Sequence, residues 1–187
     1  MTRAVLVIDM HEFLVDGLWR GAELARRVGG IVGRAHRAGV PVLVPHQVGP
    51  PGGLFDPDRR GRGVSPLIGL GEGDRTIPKQ ATDSFWETGL ADDLRSLGAD
   101  TLVVTGAATD YCIDATVRSA ASHGFDVDLV ADGHAPMAAG DPDSGLTAEQ
   151  VIAHHNTVLT RAVHPGGTAR LVHAVDALRP GRAAAER

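Results

Sequence analysis

Short β-branched apolar runs alternate with stretches of helical periodicity along most of the chain, and this alternation limits the possible folds more than any other feature. The strand-like segments lie at residues 4–9, 40–45, 74–79, 101–106, 125–132 and 169–178, the last of them a strand followed by a turn. The helix-like segments lie at residues 19–38, 88–98, 110–124 and 146–163. Strands separated by helices favour a mostly parallel sheet with helices on both faces. The pattern therefore predicts an α/β fold.

The composition of the 187-residue chain fits one folded domain over residues 1–187, with residues 179–187 forming a frayed tail. A hydrophobic content of 43% is enough for a sizeable core, and the net charge of −5 argues against nucleic acid or an anionic membrane as the main partner. No apolar run is long enough to span a membrane, and the first residues show no signal-peptide pattern. We therefore expect a cytoplasmic protein, and its one cysteine rules out an intrachain disulfide.

Three places follow the carboxyl ends of predicted strands, which is the edge where parallel sheets bind ligands. They are Asp9, residues 105–112 and Asp132. The second contains Cys112, which falls in the first turn of a predicted helix if Asp110 is its approximate N-cap. Free amides and the positive end of the helix dipole would favour a thiolate there and could bind an oxyanion. A buried structural cysteine is the alternative that the residues alone leave open.

Asp9 and Lys79 are the groups best suited to act together with a nucleophilic thiol. A carboxylate directly after a buried strand is costly unless it is paired or exposed, so Asp9 is either a base beside the thiol or a polar strand end. Lys79 is the one lysine of the chain, against 17 arginines, which hints at a role for a compact charge, although an exposed lysine needs no such reason. In a joint site Lys79 would stabilise the anions. Asp9 would accept the thiol proton and later deliver it to a leaving nitrogen.

Other kinds of site have weaker support in the sequence. The nine histidines show no spacing typical of a metal site. The glycines of residues 69–74 lack the spacing of a dinucleotide-binding loop. A nucleophile–base pair of Cys112 with His46 or His134 is a less favoured alternative to the Cys–Asp–Lys group. We therefore expect neither a metal nor a cofactor.

Four stretches together resemble the isochorismatase-like cysteine hydrolases. They are "AVLVIDM", a lone lysine followed by "SFWETGL", the run "VVTGAATDYCIDATVRSAASHGFDVDLVADGHA", and "LTAEQVIAHHNTVL". The resemblance extends over about residues 3 to 175. Its most specific part is the G-x-x-T-D-x-C element combined with an upstream strand-end aspartate and an intervening lysine. It implies a three-layer α-β-α sandwich with a six-stranded, mostly parallel sheet of Rossmann-like order.

The resemblance also implies a mechanism. Asp9, Lys79 and Cys112 would form a catalytic triad in which Cys112 attacks an amide-type carbon, giving a covalent acyl-enzyme that water then hydrolyses. A cis peptide bond would join Ala107 to Ala108, and the N–H groups of Ala108 and Cys112 would form the oxyanion hole. The expected reaction is cleavage of a C–N bond in a small amide or lactam. The alternative from another class is a non-catalytic small-molecule binding protein with the same fold.

Departures from the family pattern narrow the expected activity. Nicotinamidases of the family carry an Asp-x-His and further histidines after the second strand to bind a metal, whereas this region is "VPHQVGPPGGLFDPD". A nicotinamidase-type amidase is therefore only an alternative. True isochorismatases lack the cysteine. The chain resembles the metal-free branch, which includes the streptothricin hydrolases that open the lactam of an antibiotic. His11 stands where the family usually has a glutamine.

Aromatic and histidine side chains near the catalytic segments are the candidate walls of a substrate pocket. Core packing is the alternative for Phe13 and Phe85, whereas Trp86 and Tyr111 adjoin the proposed catalytic segments and have a polar end. The long loop of residues 46–74 would contribute to the pocket. Because family members are commonly dimers or tetramers, a homodimer or homotetramer is expected. The candidates are His11, Phe13, His46, Phe55, Phe85, Trp86 and Tyr111.

Overall fold

The computed structural model describes residues 2–140 and 143–179, and its centre is a six-stranded sheet. The strands are β1 Arg3–Ile8, β2 Val42–Gln47, β3 Arg75–Lys79, β4 Thr101–Ala107, β5 Asp126–Ala135 and β6 Ala169–Val172. They pair in parallel in the order β3-β2-β1-β4-β5-β6. This is the Rossmann-like order that the resemblance implies, and with helices on both faces the predicted fold class is confirmed.

Helices cover the two faces of the sheet and create two separate cores. The helices are α1 Glu12–Val15, α2 Gly21–Ala38, α3 Leu90–Ser96, α4 Asp114–Ser122 and α5 Ala148–Arg161. Helix α2 packs on one face, and α3, α4 and α5 pack on the other. Strand β1 serves both cores, because Val5 and Val7 face α2 while Leu6 and Ile8 face the opposite layer. Its position between β2 and β4 places its carboxyl end at the middle of the ligand-binding edge.

The helix that carries Cys112 starts differently from the prediction. Its N-cap is Ala108 rather than Asp110, and Thr109–Ile113 forms a π-helical turn before α4 begins. The turn closes through a hydrogen bond from the amide of Ile113 to the carbonyl oxygen of Ala108, 3.1 Å long. Turns of this kind are frequent at functional sites because they displace side chains from the regular helical positions.

Several other boundaries were predicted closely. Helix α5 begins with the expected capping box, in which Thr147 and Gln150 bond to each other's backbone amides. Helix α2 begins at Gly21 rather than residue 19, because Arg20 takes a left-handed conformation with φ of 51°. Of the predicted tail, residues 180–187 lie outside the described residues. Within residues 2–140 and 143–179, no helix is long and apolar enough to cross a membrane.

Candidate active site

Asp9 lies at the centre of the ligand-binding edge because β1 ends one residue before it. Its φ of 49° is in the left-handed region, which aspartate enters more readily than most residues. Its amide donates to the carbonyl oxygen of Pro45 at 3.0 Å, and its Oδ1 accepts a 2.6 Å hydrogen bond from the amide of Gln47. The carboxylate is therefore buried and held by the backbone of the neighbouring strand β2.

Lys79 reaches this carboxylate from the end of the edge strand β3. Its Nζ lies 2.7 Å from Asp9 Oδ2, and the side chain is fully buried. The same ammonium group donates to Gln47 Oε1 and to the carbonyl oxygen of Ala81, each at 2.9 Å. It also lies 3.4 Å from Cys112 Sγ. The structure therefore brings the three predicted catalytic residues together around one ammonium group.

Gly106 allows the strand that leads to Cys112 to approach β1. Its φ is 125°, and a Cβ atom at this position would lie 2.1 Å from the carbonyl oxygen of Ile8. Only glycine fits both the conformation and the contact. The peptide bond between Ala107 and Ala108 is cis, and the π-helical turn follows directly. This sequence of turns places the half-buried Cys112 beside Asp9 and Lys79.

The charges around Asp9 determine its protonation. Burial alone would raise the pKa of its carboxyl. The positive charge of Lys79 and the hydrogen-bonding interactions with Cys112 and Lys79 act against burial and hold this pKa below its ordinary value. Asp9 is therefore an ionised carboxylate at neutral pH and can accept a proton.

Cys112 carries its proton in the free protein, contrary to the expectation of a thiolate. Burial and the negative charge of Asp9 raise the pKa of the thiol to about 12, and Lys79 offsets only part of this effect. The position near a helix start does not compensate for a buried carboxylate next to the sulfur. The resting site therefore combines a thiol, a carboxylate and an ammonium group.

The rings of His11 and His46 are in contact behind Asp9, tilted by 33°. Their ring centroids are 3.7 Å apart, and the carbonyl oxygen of Arg62 accepts from His11 Nδ1 at 2.7 Å and from His46 Nε2 at 2.8 Å. A carbonyl oxygen can only accept, so these nitrogens carry the protons. His11 Nε2 then faces Asp9 Oδ1 at 3.8 Å, too far for a hydrogen bond. Burial and the adjacent imidazole of His11 lower the pKa of His46 to about 4, so His46 is neutral.

A row of hydrogen-bonded side chains supports the turn that carries Cys112, and the sequence did not predict it. The Nδ1 of buried His134 bonds to Thr109 Oγ1 at 2.8 Å, and its Nε2 bonds to Asn156 Oδ1 at 3.0 Å. Because Asn156 Nδ2 donates to the carbonyl oxygen of Ala131, its Oδ1 accepts from the imidazole, and Thr109 is the donor to Nδ1. Burial lowers the pKa of His134 to about 4 and keeps it neutral. The signal that could have revealed it is the position of Thr109 just after β4 and of His134 near the end of the neighbouring strand β5.

A cavity of about 460 Å³ opens above the Asp9–Cys112 group. Of the predicted wall residues, Phe55 and Tyr111 line it. Phe13 packs behind Phe55, with ring centroids 5.7 Å apart, and is covered by the guanidinium group of Arg62. Phe13, His11 and His46 therefore support the wall from behind. The remaining lining residues are Leu14, Gln47, Leu54, Gln80, Ala81, Thr82, Ala108 and Met137.

Phe85 and Trp86 do not line this cavity. Phe85 is buried in the core on the α3–α5 face, where its ring stacks on His123 and Phe125 at centroid distances of 4.9 and 5.9 Å. The core-packing alternative is therefore the correct one for Phe85. Trp86 is half exposed and lines a smaller depression together with Pro78 and Lys79.

The other sequence candidates have structural partners. Asp132 accepts from the amide of Ala174 at 2.8 Å and pairs with Arg27 at 3.5 Å, so it joins β5 to its neighbours. His46 and His134 are bonded as described and not to the thiol, which disfavours a Cys–His pair. Among residues 2–140 and 143–179, no group of three or more histidine, cysteine, aspartate or glutamate side chains is arranged to hold a metal ion.

Comparison with known proteins agrees with this fold. The model of the isochorismatase domain matches residues 3–163. A streptothricin hydrolase of Streptomyces noursei is 32% identical over 136 residues, which cover 71% of this chain and 49% of the relative, so the chain spans about half the length of that protein. The solved structure of an isochorismatase from Pseudomonas putida KT2440 superposes with a TM-score of 0.84 at 24% identity, covering 93% of this chain and 89% of the other. N-carbamoylsarcosine amidase from Thermoplasma acidophilum superposes with a TM-score of 0.72 at 23% identity, covering 93% and 97%.

The protein is thus a three-layer α/β protein with a polar cluster at the carboxyl edge of its parallel sheet. The match of the domain model over most of the chain makes the assignment more specific. The chain belongs to the isochorismatase family of hydrolases.

Proposed function

We propose that the protein is a cysteine-dependent hydrolase that cleaves a C–N bond of a small amide or lactam without a metal. The observation that carries the proposal is the position of one buried ammonium group, Lys79 Nζ, 2.7 Å from Asp9 Oδ2 and 3.4 Å from Cys112 Sγ. Asp9 and Cys112 both line the cavity. A nucleophile, a base and a cation that stabilises both are the groups that amide hydrolysis requires.

In the first half of the reaction, the Cys112 sulfur attacks the carbonyl carbon of the substrate and its proton passes to Asp9. Because burial and Asp9 raise the pKa of the thiol, the attack depends on Asp9 as the acceptor of its proton. The tetrahedral oxyanion would be bound by the amides of Ala108 and Cys112. Asp9 then returns the proton to the substrate nitrogen as the C–N bond breaks and the carbonyl re-forms. The amine of an open-chain amide leaves, whereas the amine of an opened lactam stays attached to the acyl group.

In the second half, water attacks the acyl-enzyme. Asp9 takes one proton from the water, and the oxygen forms a bond to the carbonyl carbon. The S–C bond breaks, the acid leaves, and Asp9 returns the proton to the Cys112 sulfur. Lys79 would stabilise whichever of the two groups is negative at each stage, because it contacts both.

A metal is not required in this scheme. The residues that follow β2 lack the histidine cluster of metal-binding relatives, and His11 and His46 each use one nitrogen on the carbonyl oxygen of Arg62. Hydrolytic chemistry is also supported by the 32% identity to a protein named as a streptothricin hydrolase. The amount of released amine should therefore not change when a chelator is present.

The proposal is tested with a panel of amides and lactams, measuring released ammonia or amine. The wild-type protein is compared with Cys112→Ser, which keeps the shape, with Cys112→Ala and with Asp9→Asn. We expect turnover by the wild type and a loss of at least about 10³-fold in each variant. Rapid quenching followed by intact-protein mass spectrometry should show an acyl group on Cys112. Full activity in Cys112→Ala, or reversible binding without any turnover or adduct, would instead support a different nucleophile or a binding protein.

A further inference from the structure

We propose that the substrate is an uncharged amide or lactam with an apolar group, and that amides carrying a charged group are rejected. The inference rests on the proposed function and makes it more specific. Its basis is the distribution of chemical groups in the cavity. The described lining holds one charged side chain, Asp9, and the uncharged polar side chains of Gln47, Gln80 and Thr82, whereas most of its surface is apolar.

The walls present large apolar side chains to solvent. Leu54, Tyr111 and Met137 are 57%, 58% and 40% exposed, and all three line the cavity together with Phe55 and Leu14. Exposed apolar side chains that surround one opening lose contact with water when an apolar ligand enters. The volume of about 460 Å³ lies within the range of small-molecule sites.

A carboxylate on the substrate would find no free cation among the described residues that line the cavity. The buried ammonium group of Lys79 is already bonded to Asp9, Gln47 and Ala81. The guanidinium group of Arg62 lies 3.6 Å from the Phe13 ring centroid, behind the wall rather than in it. Of the described lining residues, Asp9 is the charged one, and its carboxylate, already paired with Lys79, gives a substrate carboxylate no cation to pair with.

An ammonium group on the substrate would find no unpaired carboxylate among the described lining residues. Asp9 is already paired with Lys79 and accepts from the amide of Gln47. The nearby loop carboxylate of Asp56 is used by the amides of Gly52 and Asp58, at 2.7 and 3.0 Å. A cation held against the apolar walls would therefore lose its hydration without compensation.

The test uses three amides of matched chain length: hexanamide, adipamic acid, which ends in a carboxylate, and 6-aminohexanamide, which ends in an ammonium group. We expect kcat/KM for hexanamide to exceed that for either charged amide by at least about 10- to 100-fold. Equal or faster hydrolysis of a charged amide would overturn the substrate class while leaving the hydrolase proposal intact.

A pair of variants at the exposed wall residue Leu54 tests the cause. Leu54→Lys adds a cation, and Leu54→Gln is the uncharged polar control. The ratio of kcat/KM for adipamic acid to that for hexanamide should rise about 10-fold in Leu54→Lys and stay nearly unchanged in Leu54→Gln. The same rise in both variants would show that polarity rather than a missing cation controls selection, and the argument from charge would be wrong.

Binding to Cys112→Ala separates the two proposals, because it does not depend on turnover. Suppose that the wild type hydrolyses none of the amides but Cys112→Ala binds hexanamide at least about 10-fold more tightly than its charged analogues. The substrate class then stands and the hydrolase proposal fails. If the three bind equally well, the substrate class is wrong whether or not any of them is hydrolysed.

Discussion

The ion pair of Asp9 and Lys79 should contribute to stability as a unit, and a double-mutant cycle measures this. The Lys79 side chain is 0% exposed and that of Asp9 is 3% exposed, so removing either one strands a buried charge. Lys79→Met keeps an apolar chain of similar length and should cost about 3–5 kcal/mol of unfolding free energy. In a domain of this size each kcal/mol lowers Tm by about 2–4 °C, which gives a loss of roughly 6–20 °C.

Asp9→Asn should cost less, because the ammonium group keeps Gln47 Oε1 and the Ala81 carbonyl oxygen as acceptors. The double variant leaves no stranded ion. Its loss of unfolding free energy should therefore be smaller than the sum of the two single losses, by about 0.5–3 kcal/mol. Urea unfolding at pH 7 measures all three. The exposed pair of Arg95 and Asp92 is the matched control, and Arg95→Met should cost less than about 1 kcal/mol.

The stability that Lys79→Met loses relative to the wild type should depend on pH. In the wild type the pKa of Asp9 is lowered by folding, so its contribution is complete above the unfolded-state pKa and is lost as the pH falls through the folded-state pKa. Without Lys79, burial favours a protonated Asp9, and its cost falls as the pH decreases. The stability deficit should therefore shrink between pH 7 and pH 4. Strictly additive single costs, or a Lys79→Met protein as stable as the wild type, would refute a coupled buried pair.

Three further outcomes follow from the site. Asp9→Asn should abolish turnover yet speed alkylation of Cys112 at pH 8, because the thiol loses its anionic neighbour; the rate should rise about tenfold for each unit by which the thiol pKa falls. Mass spectrometry measures the alkylation rate. Slower alkylation would contradict the raised thiol pKa. Thr109→Val should leave His134 Nδ1 unpaired and cost about 1–3 kcal/mol in urea unfolding, with Thr109→Ser restoring most of it. Gly106→Ala should give little folded protein by circular dichroism, because its Cβ would overlap the backbone of β1; a Tm near that of the wild type would contradict this contact.

The parallel sheet was predictable because each of its strands has its own short apolar run and because helices separate most of them. Asp9 could be placed at the site for the same reason, since a carboxylate after a central strand must lie at the carboxyl edge. Lys79 was a weaker inference from the residues alone. Its position became clear once β3 paired with β2, which directs the side chain across the end of β2 to Asp9.

What the sequence did not predict depends on contacts between distant segments. The sequence predicts Asp110 as the approximate N-cap of the cysteine helix, but the hydrogen bond from Ile113 to Ala108 produces a π-helical turn that begins at Thr109. The protonated thiol follows from the burial of Cys112 next to Asp9, which helix position alone does not reveal. Phe85 was assigned to the pocket by its neighbours in sequence, whereas its side chain points into the core.

The segment of residues 61–65 divides the long loop into a fixed part and an exchangeable part. The carbonyl oxygen of Arg62 holds both imidazoles, and the backbone of this segment bonds to residues 10–13 through Gly61, Gly63 and Ser65, at 3.0, 3.0 and 2.8 Å. Residues 49–60, which carry Leu54 and Phe55 of the wall, lie between this anchor and the end of β2. Transplanting residues 49–60 from other members of the family should therefore yield proteins with new selectivities and an undisturbed catalytic floor, which makes this stretch the natural target for a library.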